Sequence, residues 1–155
     1  MKTVNQFING KEHISKSERF GDVFNPANGE ITKKVSFANN DDVKLAIDCA
    51  VEAGKKWAAT PPLTRSRVFF RFKDLILRDM DKLALELTSE HGKILSDSAG
   101  SITRGMEVVE FACGIPHLLK GEYSENVGTD IDSWSMRQPL GCLLYTSPSP
   151  RDLVI

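Results

Sequence analysis

The chain has 155 residues, a formal net charge of −1 and a hydrophobic fraction of 41%. This length and composition are typical of one folded domain with its own core, so disorder is not the default. The small net charge predicts neither a nucleic-acid partner nor attraction to an anionic membrane surface, and we expect a small molecule or another protein chain instead.

The sequence predicts a cytoplasmic protein. Its first twenty residues contain no apolar run of signal-peptide length, and no later stretch reaches the roughly 18 apolar residues that a membrane span needs. The three cysteines, Cys49, Cys113 and Cys142, form no Cys-x-x-Cys pair and leave one over. This pattern favours a reducing compartment over a disulfide framework.

Two Asn-Gly pairs predict two β-hairpins near the start of the chain. Asn9-Gly10 lies between residues able to form strands, and Asn28-Gly29 repeats the pattern after Pro26. Asn-Gly is a strong hairpin signal because both central residues of a type I′ turn need a positive φ angle. We therefore predict a tight reversal at each pair.

Two helical segments are predicted next. The first has Asn40 as its N-cap, with acidic residues in its first turn and lysines in its last, and it ends before Pro61-Pro62. The second is capped by Thr64 and runs to Gly92, a residue suited to the left-handed position after a helix. Because this second segment is unusually long, we predict a break near residues 79–81.

A third helical segment is predicted to begin at Ser96 or Asp97 and to end near Pro116. Its apolar stripe consists of Ile102, Met106, Val109 and Cys113. Glycine inside a helix lowers its stability, so three positions predict close packing or the approach of a ligand: Gly100, Gly105 and Gly114.

Two polar strands are predicted between Glu122 and Pro139, around Gly128-Thr129. A hairpin that is polar on much of both faces contributes little to a core. We therefore interpret it as an edge element or as a contact between subunits.

The residue types that most often carry chemistry give no specific pattern. There is no GxGxxG or GxxxxGK[ST] loop, so no phosphate-binding site is predicted. The three histidines lack metal-ligand spacing, and we interpret them as surface or capping residues: His13, His91 and His117. Cys113 lies on an apolar stripe and Cys49 lies inside an alanine-rich helix, so we predict that both are core residues and not nucleophiles.

Arg104 is the charged residue that most needs a partner. Its helical neighbours at i+4, i+7 and i+11 are all apolar, which predicts a partly buried guanidinium: they are Val108, Phe111 and Ile115. Spacing alone favours an ion pair with Glu107 or a tertiary salt bridge, because buried ion pairs are often only structural. The alternative is a bidentate clamp on a substrate carboxylate, which guanidinium geometry suits.

Several stretches of the sequence resemble the N-terminal part of an aldehyde dehydrogenase. These stretches are FINGK, VFNPANGE, LTSEHGK, RGMEVVEFACGIPHLLKGE and SMRQPLG. The RGMEVVEFACGIPHLLKG stretch is similar, more narrowly, to the CoA-acylating methylmalonate-semialdehyde dehydrogenase branch. The resemblance covers residues 4–141.

This resemblance implies an α/β fold in three parts, with an NAD-binding domain, a catalytic domain and a protruding β-hairpin for oligomerisation. Residues 1–121 would form part of the NAD-binding domain, as two β-hairpins and three long helices. Residues 122–141 would begin the oligomerisation hairpin. The implied partner is a second copy of the chain, in a homo-oligomeric dimer or tetramer.

The implied reaction is the NAD-dependent oxidation of malonate or methylmalonate semialdehyde through a cysteine thioester. The acyl group passes to coenzyme A, as acetyl-CoA or propionyl-CoA, with loss of CO2. The family's arginine for the substrate carboxylate matches Arg104, so the resemblance favours carboxylate binding at this residue. The family's catalytic cysteine, general base and nucleotide contacts lie beyond residue 141, so no catalytic residue is assigned and we expect the chain alone to be inactive.

Residues 142–155 depart from the family's pattern. After RQPLG the family continues with a valine-rich strand, whereas this chain reads CLLYTSPSPRD, which resembles the reading-frame translation of a transposase sequencing adapter more than a natural Ser/Pro-rich tail. We interpret residues 142–155 as not native and the chain as truncated. Two alternatives for the whole chain are a fragment of an aldehyde dehydrogenase with another aldehyde substrate and a small, non-enzymatic helical interaction module.

Overall fold

A computed structural model describes residues 2–140 of the chain. The segment interpreted as not native, with Cys142, lies outside the described residues. The chain forms two compact units, which divide between Ile115 and Pro116. The twelve elements of the described residues are β1 (Lys2–Val4), β2 (Gln6–Ile8), β3 (Lys11–His13), β4 (Phe20–Phe24), β5 (Ile31–Ser36), α1 (Asn40–Ala59), α2 (Pro62–Arg78), α3 (Met80–His91), α4 (Leu95–Cys113), α5 (Ile115–Leu118), β6 (Tyr123–Gly128) and β7 (Ile131–Trp134).

The first unit contains two small sheets. Strands β2 and β3 form an antiparallel hairpin, and β5 lies between β1, to which it is parallel, and β4, to which it is antiparallel. The tight turn predicted in the first hairpin is confirmed, because Asn9 has a φ of 54° and Gly10 a φ of 75°. Both central residues therefore have the positive φ angles of a type I′ turn.

The second predicted reversal is present but is not a two-residue turn. Strands β4 and β5 are joined by residues 25–30, and Gly29 has a φ of 77°, whereas Asn28 does not have a positive φ. The backbone N–H of Ala27 donates to the Asn25 side-chain oxygen at 2.9 Å, and Asn25 N donates to Glu30 O at 2.7 Å. An Asx turn at Asn25 thus lengthens the connection that the Asn-Gly pair predicted to be tight.

The predicted N-caps of α1 and α2 lie one and three residues after the observed N-caps, Asn39 and Pro61. The N-cap of α1 is Asn39 and not Asn40, because the Asn39 side chain accepts from Asp42 N while the Asp42 side chain accepts from Asn39 N. This reciprocal pair is a capping box. Helix α2 begins at Pro62 and not at Thr64, since proline is tolerated in the first turn.

Helix α4 begins at Leu95, one residue before the earlier of its two predicted starts. The predicted break is confirmed, because α2 ends at Arg78, α3 begins at Met80, and Asp79 joins them. The three predicted helical segments are therefore four long helices in the structure.

Gly92 ends α3 in the left-handed conformation that the sequence predicts, with a φ of 83°. Its N–H donates to Thr88 O at 2.9 Å, and a Cβ atom added at Gly92 would lie 3.0 Å from Pro26 Cγ. The position therefore excludes a side chain both by its backbone conformation and by its contact with the β4–β5 connection.

Gly92→Ala is expected to destabilise the chain by about 1–2 kcal/mol, because the left-handed backbone conformation is unfavourable for alanine and the added methyl group contacts the Pro26 ring. Gly54→Ala is the matched control: Gly54 lies inside α1 with no atom within 4 Å of an added Cβ. This control is expected to stabilise the chain by about 0.5–1 kcal/mol. Urea unfolding followed by circular dichroism measures both changes, and equal effects would contradict the assignment.

Small polar side chains lie where α2, α3 and α4 pack together. Ser98 is fully buried and its hydroxyl shares a 2.8 Å hydrogen bond with Thr88, while Ser66 donates to the Cys113 carbonyl at 2.6 Å. Buried hydroxyls need such partners. The small serines allow close approach of the helices, and their hydrogen bonds fix the helix register.

Few apolar side chains are buried within residues 2–140. The buried ones are Ala84 and Cys113, with 2% and 9% of their surface exposed. Many large apolar side chains of the helices remain exposed, such as Val43, Ile47 and Val51 on α1. The described residues thus provide amphipathic helices without covering their apolar faces.

The second unit contains the antiparallel hairpin of β6 and β7. Its turn lies at Thr129-Asp130, where Asp130 has a φ of 56°, and so begins one residue later than predicted. Tyr123 donates its hydroxyl to Asp132 at 2.7 Å across the strands, which raises the pKa of Tyr123 and lowers that of Asp132. The hairpin is exposed along nearly its whole length, and its interpretation as an edge or subunit contact stays a prediction.

Candidate functional site

Arg104 lies in the middle of α4, one turn after Ser101. Its Nη2 atom donates to the Ser101 hydroxyl oxygen at 3.1 Å. The Nη1 atom lies over Gly100, where an added Cβ would be 3.7 Å away. The guanidinium therefore folds back along α4 toward the N-terminal end of the helix. This contact is possible because positions 101 and 104 are neighbours on one face of the helix.

Lys93 reaches the same hydroxyl group from outside the helix. It lies between Gly92 and the first residue of α4, and its Nζ atom donates to Ser101 Oγ at 2.5 Å. The Lys93 side chain is half-buried, whereas Arg104 is exposed. One serine oxygen thus accepts hydrogen bonds from an ammonium and from a guanidinium.

No carboxylate neutralises these two cations within residues 2–140. The ion pairs of that part of the chain include neither Lys93 nor Arg104. The ion pair of Arg104 with Glu107, one of the two alternatives from spacing, is not formed. We define Lys93, Ser101 and Arg104 as the two-cation site.

The predicted partial burial of Arg104 is wrong for this chain. Its apolar neighbours Val108 and Phe111 are themselves 68% and 69% exposed, so they do not bury the guanidinium. Gly105, predicted to mark close packing, has no atom within 4 Å of an added Cβ. The face of α4 that carries Arg104 is therefore open among the described residues.

A second polar cluster lies at the N-terminus of α1 and is centred on Asp42. The carboxylate of Asp42 is buried and accepts hydrogen bonds from His13 Nε2 at 2.7 Å, Ser15 Oγ at 2.5 Å and Asn39 N at 2.8 Å. The hydrogen bond from Ser15 is the main cause that lowers the pKa of Asp42 to about 2, followed by those from Asn39 and His13. This cluster ties the segment after β3 to α1.

The histidine predictions are met at two of three positions. His91 and His117 are exposed, but His13 is half-buried and contacts Asp42. Asp42 accepts from both His13 and Ser15, so the serine and the histidine do not bond to each other as nucleophile and base would. We interpret the cluster as structural.

The two cysteines of the described residues differ in burial. Cys113 is buried, as predicted, whereas Cys49 is half-exposed beside an open depression that also contacts Asn9, Glu52 and Lys56. The prediction that Cys49 is a core residue is therefore wrong for residues 2–140. That same part of the chain contains no group of three His, Cys, Asp or Glu residues able to hold a metal ion.

None of the helices in residues 2–140 has both the length and the apolar character needed to cross a membrane.

Comparison with known proteins gives a consistent family. The aldehyde dehydrogenase family matches residues 13–148. The chain is 44% identical over 148 residues to a malonate-semialdehyde dehydrogenase of Pseudomonas aeruginosa, an alignment that covers 96% of this chain and 30% of the relative. It is 46% identical over 138 residues to a mitochondrial, acylating methylmalonate-semialdehyde dehydrogenase of Arabidopsis thaliana. This alignment covers 89% of this chain and 23% of that relative.

A solved structure shares the fold. The crystal structure of a methylmalonate-semialdehyde dehydrogenase from Sinorhizobium meliloti, complexed with NAD, is 45% identical and superposes with a TM-score of 0.87. The match covers 91% of this chain and 29% of that one. The chain thus spans less than a third of the length of these relatives.

Proposed function

Because this chain belongs to the aldehyde dehydrogenase family, we propose that it forms the N-terminal part of an NAD-dependent, CoA-acylating malonate or methylmalonate semialdehyde dehydrogenase. The observation that carries the substrate assignment is Arg104, whose guanidinium contacts a serine hydroxyl and no carboxylate among residues 2–140. The carboxylate of a semialdehyde acid would be a suitable partner for this guanidinium.

The proposed reaction balances without any group beyond its two cosubstrates. A semialdehyde anion, NAD⁺ and the thiol of coenzyme A give acyl-CoA, CO2 and NADH. NAD supplies the two-electron acceptor for the aldehyde carbon. Residues 2–140 include no glycine-rich phosphate loop, so no residue of this chain is assigned to NAD binding.

Arg104 would bind the end of the substrate that does not react. A guanidinium presents its N–H groups as a planar fork that matches both oxygens of a carboxylate. The open face of α4 around Val108 and Phe111 would supply apolar contact for the short carbon chain once the rest of the enzyme covers it. The reacting aldehyde would then point away from α4.

We infer three further properties for the full-length enzyme. The exposed hairpin of β6 and β7 supports a homo-oligomer, in which backbone edges and side chains such as Trp134 contact a second copy. The net charge of −1 supports a small-molecule substrate over nucleic acid or a membrane surface. We propose a cytoplasmic location, although the name of the Arabidopsis relative places that protein in mitochondria.

The full-length enzyme is expected to sustain NADH formation from malonate or methylmalonate semialdehyde only when coenzyme A is present, because the acyl group formed with the first NADH stays on the enzyme until coenzyme A accepts it. Mass spectrometry should identify acetyl-CoA or propionyl-CoA as the product, with CO2 released in equal amount. The 155-residue chain alone is expected to form no NADH. A free acid product without coenzyme A would contradict the acylating reaction, and turnover by the chain alone would contradict its inactivity.

A further inference from the structure

We propose that Lys93, held by Ser101, is a second determinant of specificity for the substrate carboxylate. Lys93 would supply a positive charge beside Arg104 and would position the Arg104 guanidinium. This inference rests on the proposed function, because it concerns the same anionic end of the substrate. It adds a residue that lies outside the helix and outside the RGMEVVE stretch.

The two cations of this site carry like charges at short range. Lys93 Nζ and Arg104 Nη2 are hydrogen-bonded to one oxygen, at 2.5 and 3.1 Å, so two like charges lie close together. Like charges at this range repel unless an anion lies between or beside them. Among the ion pairs of residues 2–140, none joins the α4 carboxylates on either side, Asp97 and Glu107, to either cation. The arrangement therefore favours an external anion.

The hydrogen bonds of Ser101 also favour an anion at this site. A hydroxyl oxygen has two acceptor sites, and Lys93 and Arg104 occupy both of them. The hydroxyl hydrogen of Ser101 is then left to donate. The two-cation site thus offers N–H and O–H donors and no acceptor, which matches a carboxylate and rejects a cation.

The backbone before Lys93 helps to hold this residue in place. Gly92 adopts its left-handed conformation directly before Lys93 and packs against Pro26. The Lys93 side chain is half-buried, and Ser101 is fixed in the second turn of α4. Without the hydrogen bond to Ser101, the exposed Arg104 side chain would sample several rotamers. The bond therefore lowers the conformational entropy that Arg104 would lose on binding the substrate.

The two-cation site should recognise a substrate that carries a carboxylate. A short substrate with a carboxylate at the end opposite the aldehyde can bring two oxygens to two cations. An uncharged aldehyde of the same length gains nothing from either cation. Lys93 should therefore act on the preference between these two substrates, and not on the chemical step that both share.

The test measures kcat/KM of the full-length enzyme for malonate semialdehyde and for propionaldehyde, an uncharged aldehyde of equal carbon count. Lys93→Gln is expected to lower the preference for the acid about tenfold by removing one charge-assisted interaction. Ser101→Ala should lower the preference in the same direction. Lys93→Arg should retain most of it, and Lys55→Gln, at an exposed lysine of α1 paired with Glu52, should leave it unchanged.

The outcomes separate this inference from the proposed function. If the unaltered enzyme shows no preference for the acid, the proposed function fails. If it does show the preference and Lys93→Gln leaves the ratio unchanged, the inference alone is overturned. An equal loss for both aldehydes would also overturn it, because that result indicates a purely structural lysine. Competitive inhibition by malonate, weakened in Lys93→Gln and rescued in Lys93→Arg, would support the inference independently.

Discussion

Arg104→Ala is expected to lower kcat/KM of the full-length enzyme for malonate semialdehyde by 10- to 100-fold, mostly through a higher KM. A hydrogen bond to a charged group contributes about 1.5–3 kcal/mol, and each 1.4 kcal/mol is tenfold. Propionaldehyde should be oxidised nearly as well as by the unaltered enzyme. Steady-state kinetics with both aldehydes measure the difference.

Two variants sharpen this experiment. Arg104→Lys keeps the charge and loses the planar fork, so it should recover only part of the preference for the acid. Arg78→Ala is the matched control, because Arg78 is exposed and pairs with the adjacent Asp79 at 2.7 Å. The carboxylate assignment is wrong if Arg104→Ala slows both aldehydes equally, or if Arg78→Ala changes the preference as much.

Asp42→Ala is expected to produce the largest loss of stability among substitutions in the first unit. The substitution removes the shared acceptor of His13, Ser15 and Asn39, and their donors remain partly buried without it. A loss of several hydrogen bonds at a capping box should lower the thermal midpoint by on the order of 5–10 °C. Asp41→Ala is the control, because Asp41 is an exposed residue of the same helical turn and should have a small effect.

The pH dependence of stability provides a second measurement at Asp42. Folding lowers the pKa of this carboxyl from 3.8 to about 2, so the ionised form is favoured in the folded chain. The contribution to stability is fully present above pH 3.8 and is lost as the pH falls toward 2. Asp42→Asn should lack this part of the acid transition, and an unchanged profile would contradict the assignment.

Local sequence patterns predicted the elements better than their ends. Asn9-Gly10 forms the predicted type I′ turn. At Asn28-Gly29 the same dipeptide does not form a two-residue turn, because the Asn25 side chain accepts a hydrogen bond from Ala27 N and forms an Asx turn in the same connection. Likewise, Asn39 and Asn40 are equally good caps by composition. The reciprocal bond of Asn39 with Asp42 decides between them, and it depends on a spacing of three residues.

The sequence indicates only part of the candidate site, for a physical reason. Arg104 is a candidate because a lone charge on an apolar helical face stands out in the sequence. Lys93 and His13 gave no such signal, because each side chain contacts a residue of another element, Ser101 eight residues later and Asp42 29 residues later. Gly92 predicts a left-handed turn directly before Lys93, but the turn signal does not indicate which side chain Lys93 contacts.

The small number of buried apolar side chains in residues 2–140 has a consequence for biosynthesis. Ala84 and Cys113 are the buried apolar residues there, while helical side chains such as Val51 and Phe111 stay exposed. Chains are synthesised from the N-terminus at roughly 5–20 residues per second, so this part would leave the ribosome seconds before any later segment could cover it. During that interval the exposed apolar side chains of these helices would be open to aggregation and to chaperones that hold apolar segments.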